Sequence, residues 1–149
     1  MSVPSVLFVC GRNAIRSPMA AALWRQQFGD AAQARSCGVI PAAFADGFML
    51  AVMAELGCDL DDITPMALSG VIDPPAALVV SLSTAADRLA RQYAADKSAE
   101  FQAWPIPDPS ETGGSREQRL AAYRQTRDAI KARIAGWSPP QKAPEASTL

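Results

Sequence analysis

The chain has 149 residues, 14 Lys+Arg against 15 Asp+Glu, and no histidine; that length suits one domain with a real core, and a net charge of −1 gives no field to attract nucleic acid. The missing imidazole excludes Ser-His-Asp and Cys-His nucleophile pairs, His-ligated zinc and His-held haem. Three cysteines without a Cys-x-x-Cys pair argue against a disulfide scaffold or zinc framework, so a reducing compartment, the cytoplasm, is expected, with no metal and no cofactor.

Residues 5–10, SVLFVC, form an apolar run of buried-strand length, far too short for a membrane span or a secretory leader. A polar stretch follows. Ser17-Pro18 then offers an N-cap with Pro at the first helical position, opening a helix that Gly29 ends. Met19, Leu23 and Phe28 give that helix a core face, and Trp24 is assigned to packing. Residues 33–37 are a short strand ending at Gly38. Residues 45–56 are a helix, with Met49, Val52, Met53 and Leu56 at i, i+3, i+4 and i+7 and Gly57 just past its end. Residues 76–82 are another buried strand, 83–96 a helix capped by Ser83 or Thr84, and 101–104 a last short strand. The prolines and glycines of 105–114 argue for a loop without regular structure. Residues 115–135 form the longest helix, opened by Ser115 and Gln118 as a capping box and packed through Leu120, Tyr123, Ile130 and Ile134. The Pro-rich residues 138–149 are expected to be a disordered tail, which leaves 1–137 as one domain. Strands alternating with helices predict an α/β fold, a three-layer sandwich with a central four-stranded parallel sheet and helices on both faces. Such sheets bind ligands beyond the carboxyl ends of their strands, where Cys10 stands.

Cys10-Gly11-Arg12-Asn13-Ala14-Ile15-Arg16-Ser17 is the segment with chemistry in it. A loop wrapping into a helix N-terminus turns backbone N–H groups inward and makes an anion cradle. Arg16 adds a planar fork matched to two phosphate oxygens. The same positive surroundings favour a thiolate at Cys10, and Ser17 is placed either to cap the helix or to donate to that sulfur. Asn13 tolerates the left-handed backbone that a tight cradle needs. A thiolate under a bound phosphoryl group is a nucleophile for covalent phosphoryl transfer. Taken alone, Cys10 is equally well a small buried hydrophobe at a strand end.

VLFVCGRNAIRSPMAAAL resembles the phosphate-binding loop of the low-molecular-weight protein tyrosine phosphatases and of the thioredoxin-type arsenate reductases that share their fold. The likeness continues in Ser36-Cys37-Gly38, in Glu55-Leu56-Gly57-Cys58-Asp59-Leu60 and in the strand near 77–82, and ends in Asp108-Pro109, where the family carries its general acid. It covers about residues 4–135, as in a divergent bacterial member. The resemblance implies that Cys10 takes the phosphoryl group, that Arg16 holds the equatorial oxygens, and that Asp108 protonates the leaving oxygen and later activates water. It also implies phosphate binding by Gly11, Arg12, Asn13, Ala14, Ile15 and Ser17 with Arg16, and support of the loop by Asn13, Ser17 and Ser36.

Several residues depart from the family pattern. Arg12 stands where the family usually has Gly, so a positive φ there would be strained. Ile15 stands where a second loop cysteine is common. Ser110-Glu111-Thr112 replace the aromatics that stack on phosphotyrosine, which leaves Phe44 or Trp104 to contact an aryl group, with Trp104 equally a core residue. Ile63 falls where the family often has a loop-supporting His. Thioredoxin-coupled arsenate reduction needs two further cysteines after the middle strand. Residues 81–93 contain none, and Cys37 and Cys58 read as buried structural residues. A glutathione- or mycothiol-type coupling needs only Cys10. The expected function is therefore hydrolysis of phosphotyrosine or small aryl phosphates through a phosphocysteine. Arsenate reduction and a non-catalytic phosphate-binding module on the same fold stand as alternatives. The expected partner is a phosphate monoester or oxyanion, a phosphotyrosine protein included, with neither nucleic acid nor membrane, on a monomer or weak dimer.

Overall fold

The structure, a computed structural model, describes residues 3–29, 33–71 and 75–137. Strands β1 (Val6–Cys10), β2 (Ala34–Gly38), β3 (Leu78–Ser81) and β4 (Glu100–Ala103) alternate with helices α1 (Arg16–Phe28), α2 (Gly47–Ala54), α3 (Thr84–Asp96) and α4 (Arg116–Ala135). The sheet runs β2-β1-β3-β4 and every pairing is parallel, with Cys10 opposite Gly38 and Val9 opposite both Cys37 and Ser81. This is the expected three-layer α/β architecture. The expected tail at 138–149 lies outside the described residues.

β1 is fully buried, and its side chains divide by pleat. Val6, Phe8 and Cys10 join the core under α1, α2 and α4; Leu7 and Val9 join the core under α3, with Cys37, Val79, Ala86 and Ala90. Burial on both faces is why the strand reads as a continuous apolar run instead of an alternating one. Trp24 packs on Phe8, Phe28 and Trp137 with ring centroids 5.8, 4.7 and 5.0 Å away. Trp104 is 2% exposed and lies 5.8 Å from Phe8, so it is a core residue.

Three local expectations change. Ser17 is not the N-cap of α1: the helix begins at Arg16, the cap position is Ile15, and no side chain caps it. Ser17 is instead buried inside the first turn and bonded to the sulfur of Cys10. Pro18 follows it in the same turn, where a missing N–H costs nothing. The helix expected over 45–56 is trimmed to Gly47–Ala54, because Asp46 caps it by accepting from the N–H groups of Phe48 (2.8 Å) and Met49 (3.1 Å). Gly57 follows with φ +79°, as a residue past a helix end often does. Finally, 105–114 is not wholly irregular: Asp108 caps a 3₁₀ turn, Pro109–Glu111. A second such turn, Leu68–Gly70, has no side-chain cap and was not expected. The caps of α3 and α4 stand as expected, Ser83 accepting from the Ala86 N–H and Ser115 forming a full capping box with Gln118.

α4 is tied to α2 by charge. Glu55 accepts from Arg124 Nη2 and from Arg127 Nη1, each at 2.8 Å. Hydrogen bonds from Arg124 and then Arg127 hold the Glu55 carboxyl down at about 2, against an ordinary 4.5. A depressed carboxyl contributes stability above its unfolded value and loses it as pH falls toward the folded one. Glu55→Gln should therefore lower stability to urea at pH 7 and low salt by a surface-pair amount. The gap from wild type should close between pH 4.5 and about 2. Equal gaps at both ends of that range would mean that the ion pairs contribute nothing.

Candidate active site

β1 is a central strand whose neighbours lie on opposite sides, β2 before it in the sheet and β3 after it. Its carboxyl end is therefore a topological switch point, where loops diverge and leave a crevice. The chain leaves the sheet there at Cys10, turns through 11–15 and enters α1.

Backbone bonds fix the loop from outside. The carbonyls of Cys10, Gly11, Arg12 and Ala14 accept from the N–H groups of Val39 (3.1 Å), Ile40 (2.9 Å), Ala42 (2.8 Å) and Asp46 (3.1 Å). Because each peptide is trans, carbonyls held outward turn the following N–H groups the other way, toward the loop's hollow. The N–H of Asn13 does this and points at Cys10 Sγ, 3.3 Å away. Asn13 has φ 53° and is 1% exposed. The left-handed residue of the loop is thus Asn13, as its chemistry suggested, and Arg12 escapes the feared strain because its φ is not positive.

The side chain of Asn13 supports the loop from inside. Its Nδ2 donates to Ser17 Oγ (2.7 Å) and Ser36 Oγ (2.9 Å), and its Oδ1 accepts from the Met66 N–H (2.7 Å). The role expected of an imidazole near Ile63 thus falls to a backbone amide three residues on. Ser17 Oγ lies 3.0 Å from Cys10 Sγ and donates to the Cys37 carbonyl at 3.2 Å. That hydroxyl has a single proton. A thiol at Cys10 lets the proton rest on the carbonyl, and a thiolate draws it to sulfur.

Arg16 reaches across the crevice, with Nη1 donating to the Ile106 carbonyl at 2.8 Å. Asp108 follows on the same loop, its Oδ1 accepting from the Ser110 N–H (2.9 Å) and hydroxyl (2.7 Å); Oδ2 takes no part in that turn. Cys10, Arg16 and Asp108 line one cavity of about 280 Å³, together with Arg12, Ala14 and Ile15 of the loop. Ala42, Phe44, Asp46 and Ser110 complete its walls. Phe44 is 83% exposed and so is the aromatic available at the mouth, whereas Trp104 is not.

Some participants were not anticipated. Gly38 is one: a Cβ there would lie 2.6 Å from the Asn13 nitrogen and 2.7 Å from the Arg12 carbonyl carbon, so only Gly lets β2 pass this close to the loop. Asp46 is another, and its placement before an apolar run was a readable N-cap signal. Its third bond, Oδ2 accepting from Tyr123 Oη at 2.9 Å, links residues 77 apart and was not readable. Burial, then Asp46, then the charge of Asp108 push the Tyr123 hydroxyl well above its ordinary value, so it stays a donor.

The other cysteines are remote from this role. Cys37 sits in the core on the opposite pleat, and burial pushes its thiol up to about 12. Cys58 is half-buried beyond α2, accepts from Gln26 Nε2 at 3.6 Å, and is also raised by burial. Among the described residues, no group of three or more Cys, Asp or Glu is placed to hold a metal ion, and no helix is long and apolar enough to cross a membrane.

Gly38→Ala is expected to cost about 1–3 kcal/mol in urea unfolding, as overpacking does. It should also weaken inorganic phosphate binding roughly tenfold, equivalent to about 1.4 kcal/mol. Unchanged phosphate affinity, measured by calorimetry, would show that the loop does not depend on that spacing.

Residues 5–145 match the family model described as low molecular weight phosphotyrosine protein phosphatase. An arsenate reductase of Bacillus licheniformis is 30% identical over 139 residues, covering 90% of this chain and 94% of that protein. One from Halalkalibacterium halodurans is 29% identical over 134 residues with the same coverage. Among solved structures, an arsenate reductase in its phosphate-binding state matches with TM-score 0.72 at 25% identity, over 88% of this chain and 93% of the other. The Erwinia amylovora tyrosine phosphatase AmsI matches with TM-score 0.75 over 91% of each chain; at 19% identity it bears on the fold alone. With a match that spans nearly the whole sequence on this fold, the chain belongs to the low molecular weight phosphotyrosine protein phosphatase family.

Proposed function

We propose that this chain is a cysteine-dependent phosphatase that hydrolyses phosphotyrosine or small aryl phosphate monoesters through a phosphocysteine. One observation carries the reading: a sulfur held in an anion cradle, a guanidinium and a carboxyl group share the walls of one cavity of about 280 Å³. A passive phosphate binder needs neither the thiol nor the acid.

The steps follow from those groups. Cys10 Sγ attacks phosphorus in line with the ester oxygen; the S–P bond forms as the P–O bond breaks. Arg16 and the inward N–H groups of the loop neutralise the equatorial oxygens. Asp108 gives its proton to the departing aryl oxygen, then as a carboxylate takes one from the water that attacks phosphocysteine. The P–S bond breaks, and the Ser17 proton receives the thiolate. Phe44 offers an aromatic wall to the aryl ring in place of the residues after Asp108. A chemistry that depends on reduced Cys10 suits the cytoplasm.

A second reading has support of its own, since the arsenate reductases above are 29–30% identical to this chain. Here Cys10 attacks arsenate, and two electrons must come from thiols. Cys37 and Cys58 are poor sources, one locked in the core and the other beyond α2. The reductant in this reading is therefore a small external thiol.

Wild-type enzyme should hydrolyse p-nitrophenyl phosphate at roughly pH 5–7. Cys10→Ser should abolish turnover, Asp108→Asn should cut it by about 10²–10³ as loss of a general acid does, and vanadate should compete with substrate. Arsenate-dependent oxidation of glutathione without any phosphate ester turnover would replace this reading with the second.

A further inference from the structure

The first turn of α4 carries two arginines beside the site. Helix N-termini favour acidic side chains, because the macrodipole places positive charge there. Glu117 answers that preference, yet the turn opens with Arg116, and Arg119 follows three residues later on the same face. Neither arginine forms an ion pair among the described residues; the ion pairs of α4 there belong to Arg124 and Arg127. Both guanidinium groups instead stand over the ring of Phe48, at 4.6 Å for Arg119 and 6.0 Å for Arg116. Stacking of this kind spends a guanidinium's face and leaves its N–H edge for a carboxylate.

This platform adjoins the cavity. The Phe48 N–H donates to Asp46, which forms part of the cavity wall. The Phe48 ring lies 5.3 Å from that of Tyr123, whose hydroxyl feels Asp46, Asp108 and Arg119 together. Arg12, exposed on the phosphate loop, adds a third positive group to the cavity lining. Two stacked cations without a carboxylate partner among the described residues thus stand at the positive pole of a helix, next to a phosphate-sized cavity.

We propose that Arg116 and Arg119 on Phe48 form a docking platform for acidic residues flanking the phosphorylated side chain, so that the preferred substrate is an acidic phosphotyrosine segment of a protein. The inference rests on the phosphatase reading. It differs from it in concerning a surface outside the cavity, which a small aryl phosphate does not reach.

The experiment compares kcat/KM for phosphotyrosine peptides of equal length with three glutamates, three glutamines or three lysines on either side, alongside p-nitrophenyl phosphate. Wild type should prefer the acidic peptide over the neutral one by roughly five- to tenfold, the worth of two exposed ion pairs. The preference should fall at high salt. In Arg116→Gln/Arg119→Gln the ratio should approach one, in Arg116→Lys/Arg119→Lys it should partly survive, and in Arg88→Gln, an exposed charge on α3, it should persist. The Lys pair separates charge recognition from a purely structural role of the arginines on Phe48. Turnover of all peptides without a flank preference, or a preference that survives the double Gln variant, overturns the platform alone. No turnover of any ester, p-nitrophenyl phosphate included, overturns the phosphatase reading and the platform with it.

Discussion

The backbone of Asn13 is left-handed, its N–H faces the Cys10 sulfur, and its amide holds Ser17, Ser36 and the Met66 N–H. Those bonds join four parts of the chain that come together only in the fold: the end of β1, the start of α1, the middle of β2 and the segment before the 3₁₀ turn at Leu68. Gly38 permits the approach by having no side chain where Asn13 must sit. A loop with that many fixed ends cannot relax when an anion arrives, so its N–H groups are aimed before binding. Pre-set dipoles are the ones that stabilise a charged transition state without a reorganisation cost.

The regular elements were largely legible because each announces itself locally. An apolar run, a Ser83 cap, a Ser115/Gln118 box and a glycine past a helix end are signals within a few residues. The error at the site has a different origin from the trimmed helix and the 3₁₀ turn, which follow from the local caps of Asp46 and Asp108. Ser17-Pro18 has the form of a cap followed by Pro, yet Ser17 is taken into the helix by bonds to Cys10, Asn13 and Cys37. Long-range chemistry overrode a local pattern at the site itself. The triad of Cys10, Arg16 and Asp108 could be suggested by motif, since their grouping was inferred through resemblance. Asp46–Tyr123 and Gly38–Asn13 could not, because no spacing rule relates residues 77 or 25 positions apart.

The absence of histidine now has a physical reading. An imidazole commonly orients a loop by a directed N–H bond, and here a main-chain amide supplies the same bond to Asn13 Oδ1. A backbone donor does not titrate. The support of the loop is therefore independent of pH across the range in which an imidazole would gain or lose charge.

The bond from Arg16 to the Ile106 carbonyl has a consequence for linkage. Arg16 belongs to the helix that opens at the anion cradle, and Ile106 belongs to the loop that carries Asp108. One guanidinium thus spans the binding element and the proton-donating element. An oxyanion that fixes Arg16 also fixes its bond to Ile106, and whatever moves the Asp108 loop must alter Arg16. Affinity at the cradle and order in residues 105–111 are two readings of one coupling free energy, and by reciprocity each changes the other by the same factor.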